Sequence, residues 1–210
     1  MRSVIAAIPD LALGLLCLVT WVAPGLIGVH WVRDVVLLML MEFIVIHSSA
    51  FMGVAGWGGF GGKVPRSFAI VGFGLFYSLF VGAYAFMFKT WAPLLGFWGL
   101  TLNRLLGSVI FPIEGQENQM MKTWASCTFF YLIAVFATTL LPVPALGVTP
   151  EVIVAAHVPG DSGLWVTRPY TVVAAGFLYY TACALSELSS FGSMGKVKEA
   201  TRRRSSRAAE

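Results

Sequence analysis

Six long apolar stretches follow one another along the chain, separated by short breaks rich in glycine, proline and charged residues. A helix needs about 20 apolar residues to cross roughly 30 Å of hydrocarbon, and each stretch is close to that length. The breaks carry turn signals such as "APGLIG" and "PIEGQEN". The pattern predicts six transmembrane helices, at residues 4–24, 34–55, 67–88, 91–111, 124–141 and 170–191.

These elements predict an all-α fold, a polytopic membrane bundle of six transmembrane helices. Composition supports this class, because hydrophobic residues make up 58% of the chain and charged residues 11%. Soluble domains contain about 25% charged residues, so this chain has too few to cover a water-facing surface. We expect residues 1–193 to form one transmembrane domain and residues 194–210 to form a basic, disordered cytoplasmic tail.

Basic residues are unevenly distributed over the breaks, and in membrane proteins they accumulate on the cytoplasmic side. With six spans, ten lysines and arginines fall on one side and three on the other. The larger set consists of Arg2, Lys63, Arg66, Lys122 and six residues of the tail, and the smaller set of Arg33, Lys89 and Arg168. We therefore expect an integral protein of a bacterial cytoplasmic (inner) membrane, with both termini in the cytoplasm.

The longest break, residues 142–169, lies on the external side in this topology. Within it, "EVIVAAHV" and "LWVTRPY" flank the turn sequence "PGDSG". Apolar residues that alternate on both sides of such a turn are typical of a β-hairpin. The alternative is an irregular loop bent by its prolines.

Small residues recur at helical spacing in the third and fourth segments. Such stripes let two backbones approach closely, which is how helices associate in lipid. We expect helix packing along a stripe of Gly74, Ser78 and Gly82 and along a second stripe of Gly96, Gly99, Asn103 and Gly107.

Glu42 and His47 lie in the middle of the second apolar segment. A charge at the centre of a bilayer costs about 2.5–3.5 kcal/mol on insertion scales, so ionisable residues at such depth are candidates for function. Glu42 shares a helix face with Ser49, whereas His47 lies about 140° further round the helix. We predict that these three residues line a proton pathway. The structural alternative is a protonated Glu42 bonded to a backbone carbonyl and a neutral His47 satisfied by a neighbouring hydroxyl or amide.

Three more ionisable residues, Asp10, Arg104 and Glu187, fall inside predicted spans toward the inner side. An opposite charge nearby makes a charge in lipid tolerable, so we predict that Arg104 pairs with Asp10, with Glu187 or with both. Such an intramembrane ion pair would act as an inner gate or brace. In the alternative, Arg104 extends to the inner headgroups along its aliphatic stem, or the pair only fixes how the helices meet.

The three cysteines, Cys17, Cys127 and Cys183, each lie in an apolar segment and form no Cys-x-x-Cys pair. This pattern argues against a disulfide framework or a zinc site, and we expect the thiols to pack as small hydrophobic groups. Only His47 among the histidines lies within a span, which argues against haem held by two histidines. The sequence gives no metal ligands, catalytic residues or cofactor motif.

The leading functional hypothesis is a small proton- or ion-conducting channel or transporter that uses Glu42 and His47. The alternative is a non-catalytic accessory or scaffold subunit of a larger membrane complex. The short loops and the lack of a large external segment in the sequence favour this alternative. Expected partners are the bilayer itself, anionic lipid headgroups at the basic tail, and further copies of the chain or a larger complex. Nucleic acid is not expected.

Overall fold

The computed structural model describes residues 2–56, 66–110, 117–160 and 162–207. Every regular element within these residues is a helix, and none is a strand, so the all-α prediction is confirmed. A single 3₁₀ turn, Pro24–Leu26, follows the first helix. The eight α-helices are α1 (Arg2–Val22), α2 (His30–Gly56), α3 (Arg66–Met87), α4 (Ala92–Ile110), α5 (Glu117–Leu140), α6 (Pro150–Ala156), α7 (Leu164–Thr167) and α8 (Pro169–Arg207).

Three of the described helices are long and apolar enough to cross a membrane, at His30–Met52, Ser67–Met87 and Pro169–Ser189. Six had been predicted. The other three apolar runs, Ala7–Val22, Ala92–Leu102 and Trp124–Leu140, are shorter. Each of these runs begins or ends at the edge of the described side chains, at residues 7, 102 and 124. The structure thus supports a membrane protein, with three qualifying helices in its described part.

The predicted β-hairpin in the break 142–169 is wrong, because the described part of this break holds the short helices α6 and α7. Capping explains the first of them. The Thr149 side chain accepts a hydrogen bond from the backbone N–H of Val152, and Pro150 occupies the first turn. The helix then ends at His157, whose backbone is left-handed at φ 50°. Local capping therefore outweighs the alternating valines.

Helix α8 is the central element of the bundle, with α1, α5 and α2 packed around it. Helices α3 and α4 pair with each other, and α2 joins this pair to the rest. One apolar cluster accordingly lies among α1, α2, α5 and α8, and a second among α2, α3 and α4.

Glycine allows the closest approach between α1 and α8. A Cβ atom added at Gly176 would stand 2.9 Å from the Cys17 sulfur and 3.2 Å from the Met39 sulfur. One at Gly14 would stand 3.3 Å from Oγ1 of Thr181. Neither glycine belongs to the predicted small-residue stripes, yet both lie in the tightest interface.

The residues of the predicted stripes have mixed surroundings. A Cβ atom at Gly74 would stand 3.1 Å from Thr101, and one at Gly82 would stand 3.8 Å from Leu94, both on α4. The Ser78 hydroxyl donates to the carbonyl of Gly74 in its own helix at 2.7 Å. By contrast, Gly96 and Gly99 have no described atom within 4 Å of a built Cβ. The side chain of Asn103 and the surroundings of Gly107 lie outside the described residues.

One end of the bundle, which we call the loop end, is closed by the segment between α5 and α8. Val32 of α2, Val148 and Ala156 are buried together there, and Trp21 and Tyr170 pack against them. The loop end therefore gathers the last turn of α1 and the first turns of α2 and α8.

Two hydrogen bonds in opposite directions join Trp21 of α1 to this segment. The Trp21 indole N–H donates to the Pro144 carbonyl at 2.9 Å, and the Gly147 N–H donates to the Trp21 carbonyl at 3.0 Å. A Cβ atom at Gly147 would stand 2.3 Å from the Val22 carbonyl oxygen, so this approach requires glycine.

Candidate functional site

Glu42 is bonded to α8. Its Oε1 atom accepts a hydrogen bond of 2.6 Å from the Tyr179 hydroxyl. A short O–H···O contact of this kind is typical of a phenol donating to a carboxyl group. At about 1.5 Å per residue, Glu42 lies about 18 Å along α2 from His30, and Tyr179 about 15 Å along α8 from Pro169. Since both helices start at the loop end, the two side chains meet at one level.

Asp10 of α1 reaches the same level from the opposite chain direction. It lies about 18 Å along α1 from Val22, which is also at the loop end. Asp10 is near enough to interact electrostatically with Glu42 and with Glu187. Asp10 and Glu42 thus lie at one level, and Glu187, about 12 Å further along α8 than Tyr179, interacts with Asp10. We call Asp10, Glu42, Glu187 and the adjacent Tyr179 and Tyr180 the carboxyl cluster.

Tyr180 contributes a second hydroxyl to this cluster. The residue is 2% exposed, and it interacts with Glu42 and Asp10. A buried hydroxyl is normally satisfied by protein or by ordered water. Tyr180 therefore places a second hydroxyl beside the Glu42 carboxyl group.

Two side chains of α5 fix α2 next to the cluster. The Tyr131 hydroxyl donates to the Met39 carbonyl at 2.9 Å, and the Trp124 indole N–H donates to the Ile46 carbonyl at 2.8 Å. The Tyr131 ring also meets the Tyr179 ring edge-on, with centroids 5.5 Å apart. These bonds hold the α2 backbone on both sides of Glu42 and limit its movement relative to α8.

His47 lies on a different side of α2, facing α3. Its Nδ1 atom is 3.0 Å from the Phe43 carbonyl oxygen, and its ring packs on Phe43 with centroids 4.0 Å apart. A carbonyl oxygen only accepts, so Nδ1 carries the hydrogen in this contact. The histidine borders a cavity of about 210 Å³, whose lining residues are Phe43, Ile44, His47, Phe76, Tyr77, Phe80 and Tyr84.

Ser49 makes local contacts. Its hydroxyl donates to the Val45 carbonyl one turn earlier in α2. The neighbouring Ser48 is fully buried and donates to the same carbonyl at 3.1 Å. Such bonds satisfy a hydroxyl within its own helix, which is how serine is accommodated in an apolar environment.

The predicted pairing of Arg104 stays a prediction, because its side chain lies outside the described residues. Its helix α4 packs chiefly against α3, whereas Asp10 and Glu187 lie on α1 and α8. Within the described part of the chain, no ion pair involves Asp10 or Glu42.

The structure groups the candidate residues in a way that the sequence did not indicate. It brings Asp10 to Glu42 and directs His47 elsewhere, whereas the sequence paired Glu42 with His47. It also adds Tyr179 and Tyr180, which the sequence analysis missed. The missed signal was a tyrosine pair in the middle of an apolar helix, since a phenol at that depth needs a polar partner.

The chemistry of the cluster follows from the number of acids. Several carboxylates in a low-dielectric region repel one another, so such a group binds protons instead of holding a full set of charges. A hydrogen bond between a phenol and a carboxyl group is stronger in this low-dielectric region than in water. Among the described residues, no group of three or more histidine, cysteine or acidic side chains has the arrangement of a metal site.

The chain matches no family model, no curated protein and no solved structure. The carboxyl cluster is therefore the feature of the chain that bears on its function.

Proposed function

We propose that the protein conducts protons across the membrane, with Glu42 as the central group of the pathway. The observation that carries this proposal is the 2.6 Å hydrogen bond between the Tyr179 hydroxyl and Glu42, about halfway along two apolar helices. A carboxyl group at that depth is costly and is a functional candidate by default.

The surroundings of Glu42 supply the neighbours that proton transfer needs. Asp10 interacts electrostatically with Glu42 and with Glu187, and Tyr180 adds a second buried hydroxyl beside Glu42. Protons move along chains of such groups when each both donates and accepts. The proposed path runs through Asp10, Glu42 and the two tyrosines, and His47 serves a separate cavity beside α3.

The proposal includes the finer topology of six spans, with both termini in the cytoplasm of a bacterial inner membrane. In this topology the helices α1, α4 and α5 also cross, and α1 and α5 pack on α8. It requires an even number of spans, because the basic tail stays inside.

The function is tested by proton flux into proteoliposomes under a potassium diffusion potential, followed with a pH-sensitive dye trapped inside. We expect wild-type vesicles to acidify and Glu42→Gln vesicles to match empty vesicles, because glutamine keeps the shape and the acceptor but carries no exchangeable acid.

Glu151→Gln is the matched control. Glu151 is exposed on α6, outside the spans, and the nearby Thr149 side chain holds the pKa of its carboxyl below the usual range. We expect this variant to conduct like the wild type. Equal flux in wild-type and Glu42→Gln vesicles contradicts proton conduction and leaves the accessory-subunit hypothesis in its place.

A further inference from the structure

Two of the three cysteines meet in the interior of the bundle. The sulfur atoms of Cys127 on α5 and Cys183 on α8 lie 4.0 Å apart. Both residues are free thiols. They were expected to pack as small hydrophobic groups, because each lies in an apolar segment and they form no Cys-x-x-Cys pair. The fold instead makes them neighbours.

The pair differs from an ordinary buried thiol because one of its two sulfur-bearing residues is only partly buried. Cys183 is 6% exposed, whereas Cys127 is only partly buried. Both lie about 20 Å along their helices from the loop end, which is deep in the apolar part of the bundle. A reagent that reaches Cys127 must therefore dissolve in lipid.

We propose that Cys127 and Cys183 form a dithiol centre that a lipid-soluble quinone oxidises reversibly to a disulfide between α5 and α8. The two S–H bonds break and one S–S bond forms. Two electrons and two protons pass to the quinone, which becomes the hydroquinone. The two sulfurs need to close by about 2 Å to reach bonding distance, which side-chain rotation on packed helices supplies.

Neighbouring groups suit this reaction. The thiolate is the reactive form of cysteine, so a thiol proton must first leave. Tyr179 interacts electrostatically with both cysteines and donates its own proton to Glu42. The Tyr179 hydroxyl thus links both thiols to Glu42. The inference rests on the sulfur contact and does not depend on proton conduction.

The third cysteine provides a matched control. Cys17 lies on α1, fully buried against the position of Gly176. The full chain in lipid nanodiscs is incubated with a short-chain quinone in the absence of oxygen. It is then denatured, its remaining thiols are alkylated with N-ethylmaleimide, and they are counted by intact-mass spectrometry. We expect the wild type to lose two reactive thiols per chain and to keep one, and the Cys17→Ser variant to lose both of its thiols. One hydroquinone forms per chain.

The Cys127→Ser and Cys183→Ser variants should each keep two reactive thiols after the same treatment. If the Cys17→Ser protein retains both thiols, the dithiol proposal is overturned, whatever the other variants do. A disulfide that includes Cys17 overturns it as well. Oxidation by aqueous glutathione disulfide as fast as by quinone rejects the quinone as the electron acceptor.

Discussion

At the scale of single residues, position in the sequence identified the unusual groups but not their partners. Glu42 stands out in any apolar segment, and the expectation that it lies inside the bundle agrees with its bond to Tyr179. That partner is 137 residues away in the chain, so no local sequence pattern indicates it. His47 was grouped with Glu42 by closeness in sequence, yet five positions along a helix turn a side chain toward another neighbour.

The phenol of Tyr179 gives a prediction at this scale. Tyr179→Phe removes the hydrogen bond to Glu42 and leaves the ring packed on Tyr131. Losing a hydrogen bond worth about 1.4 kcal/mol in the rate-limiting step lowers a rate about tenfold. We expect the proton flux to fall by that factor, measured in the dye-filled vesicles.

Tyr170→Phe is the control for this change, because Tyr170 lies on the same helix but packs at the loop end, away from the carboxyl cluster. A flux that is unchanged in Tyr179→Phe, or reduced equally in both variants, would exclude a specific part for the Glu42–Tyr179 bond.

At the scale of helices, the apolar pattern located all six long elements to within several residues at most ends. The packing partner of each helix was harder to predict. A small residue shows where another helix can approach closely but not which helix does so. Gly74 does face α4, whereas Gly96 and Gly99 face no described neighbour. The contact between α1 and α8 depends on Gly14 and Gly176, whose helices are separated by most of the chain. The break 142–169 shows the opposite case, in which a local cap decided the structure.

The close contact at Gly176 predicts a specific loss of stability. Gly176→Ala puts a methyl group 2.9 Å from the Cys17 sulfur, and overpacking of this kind costs about 1–3 kcal/mol. We expect the unfolding temperature in mild detergent to fall. Cys17→Ala removes the sulfur, so the double variant should recover much of the loss.

Gly96→Ala is the matched control, since a Cβ atom there meets no described atom within 4 Å. Its unfolding temperature should stay the same or rise slightly, because alanine favours a helix over glycine. If Gly96→Ala and Gly176→Ala are equally destabilised, the proposed packing of α1 on α8 is wrong.

At the scale of the whole molecule, composition alone indicated a membrane protein, and the helical bundle agrees with it. The number of crossings is less direct, because three helices meet the length and hydropathy of a span within the described residues, and the other three apolar runs stop at the edge of the described side chains.

Topology is therefore a prediction at this scale. In a chain without native cysteines, a single cysteine at position 151 should react with a membrane-impermeant maleimide added to intact cells. One at position 198 should react only after the cells are opened. Labelling of position 198 from outside would reject the topology with a cytoplasmic C-terminus, and labelling of both positions from outside would mean an odd number of spans between the N-terminus and the tail or an even number of crossings between residues 151 and 198.

The central claim is that protons cross through Glu42 together with its partner on α8, and the most direct measurement is the initial proton flux of four vesicle preparations at equal protein content. These contain wild type, Glu42→Gln, Tyr179→Phe and the double variant. The account predicts that Glu42→Gln and the double variant both match empty vesicles, whereas Tyr179→Phe keeps about a tenth of the wild-type flux. A Glu42→Gln or Tyr179→Phe flux equal to that of the wild type would contradict it.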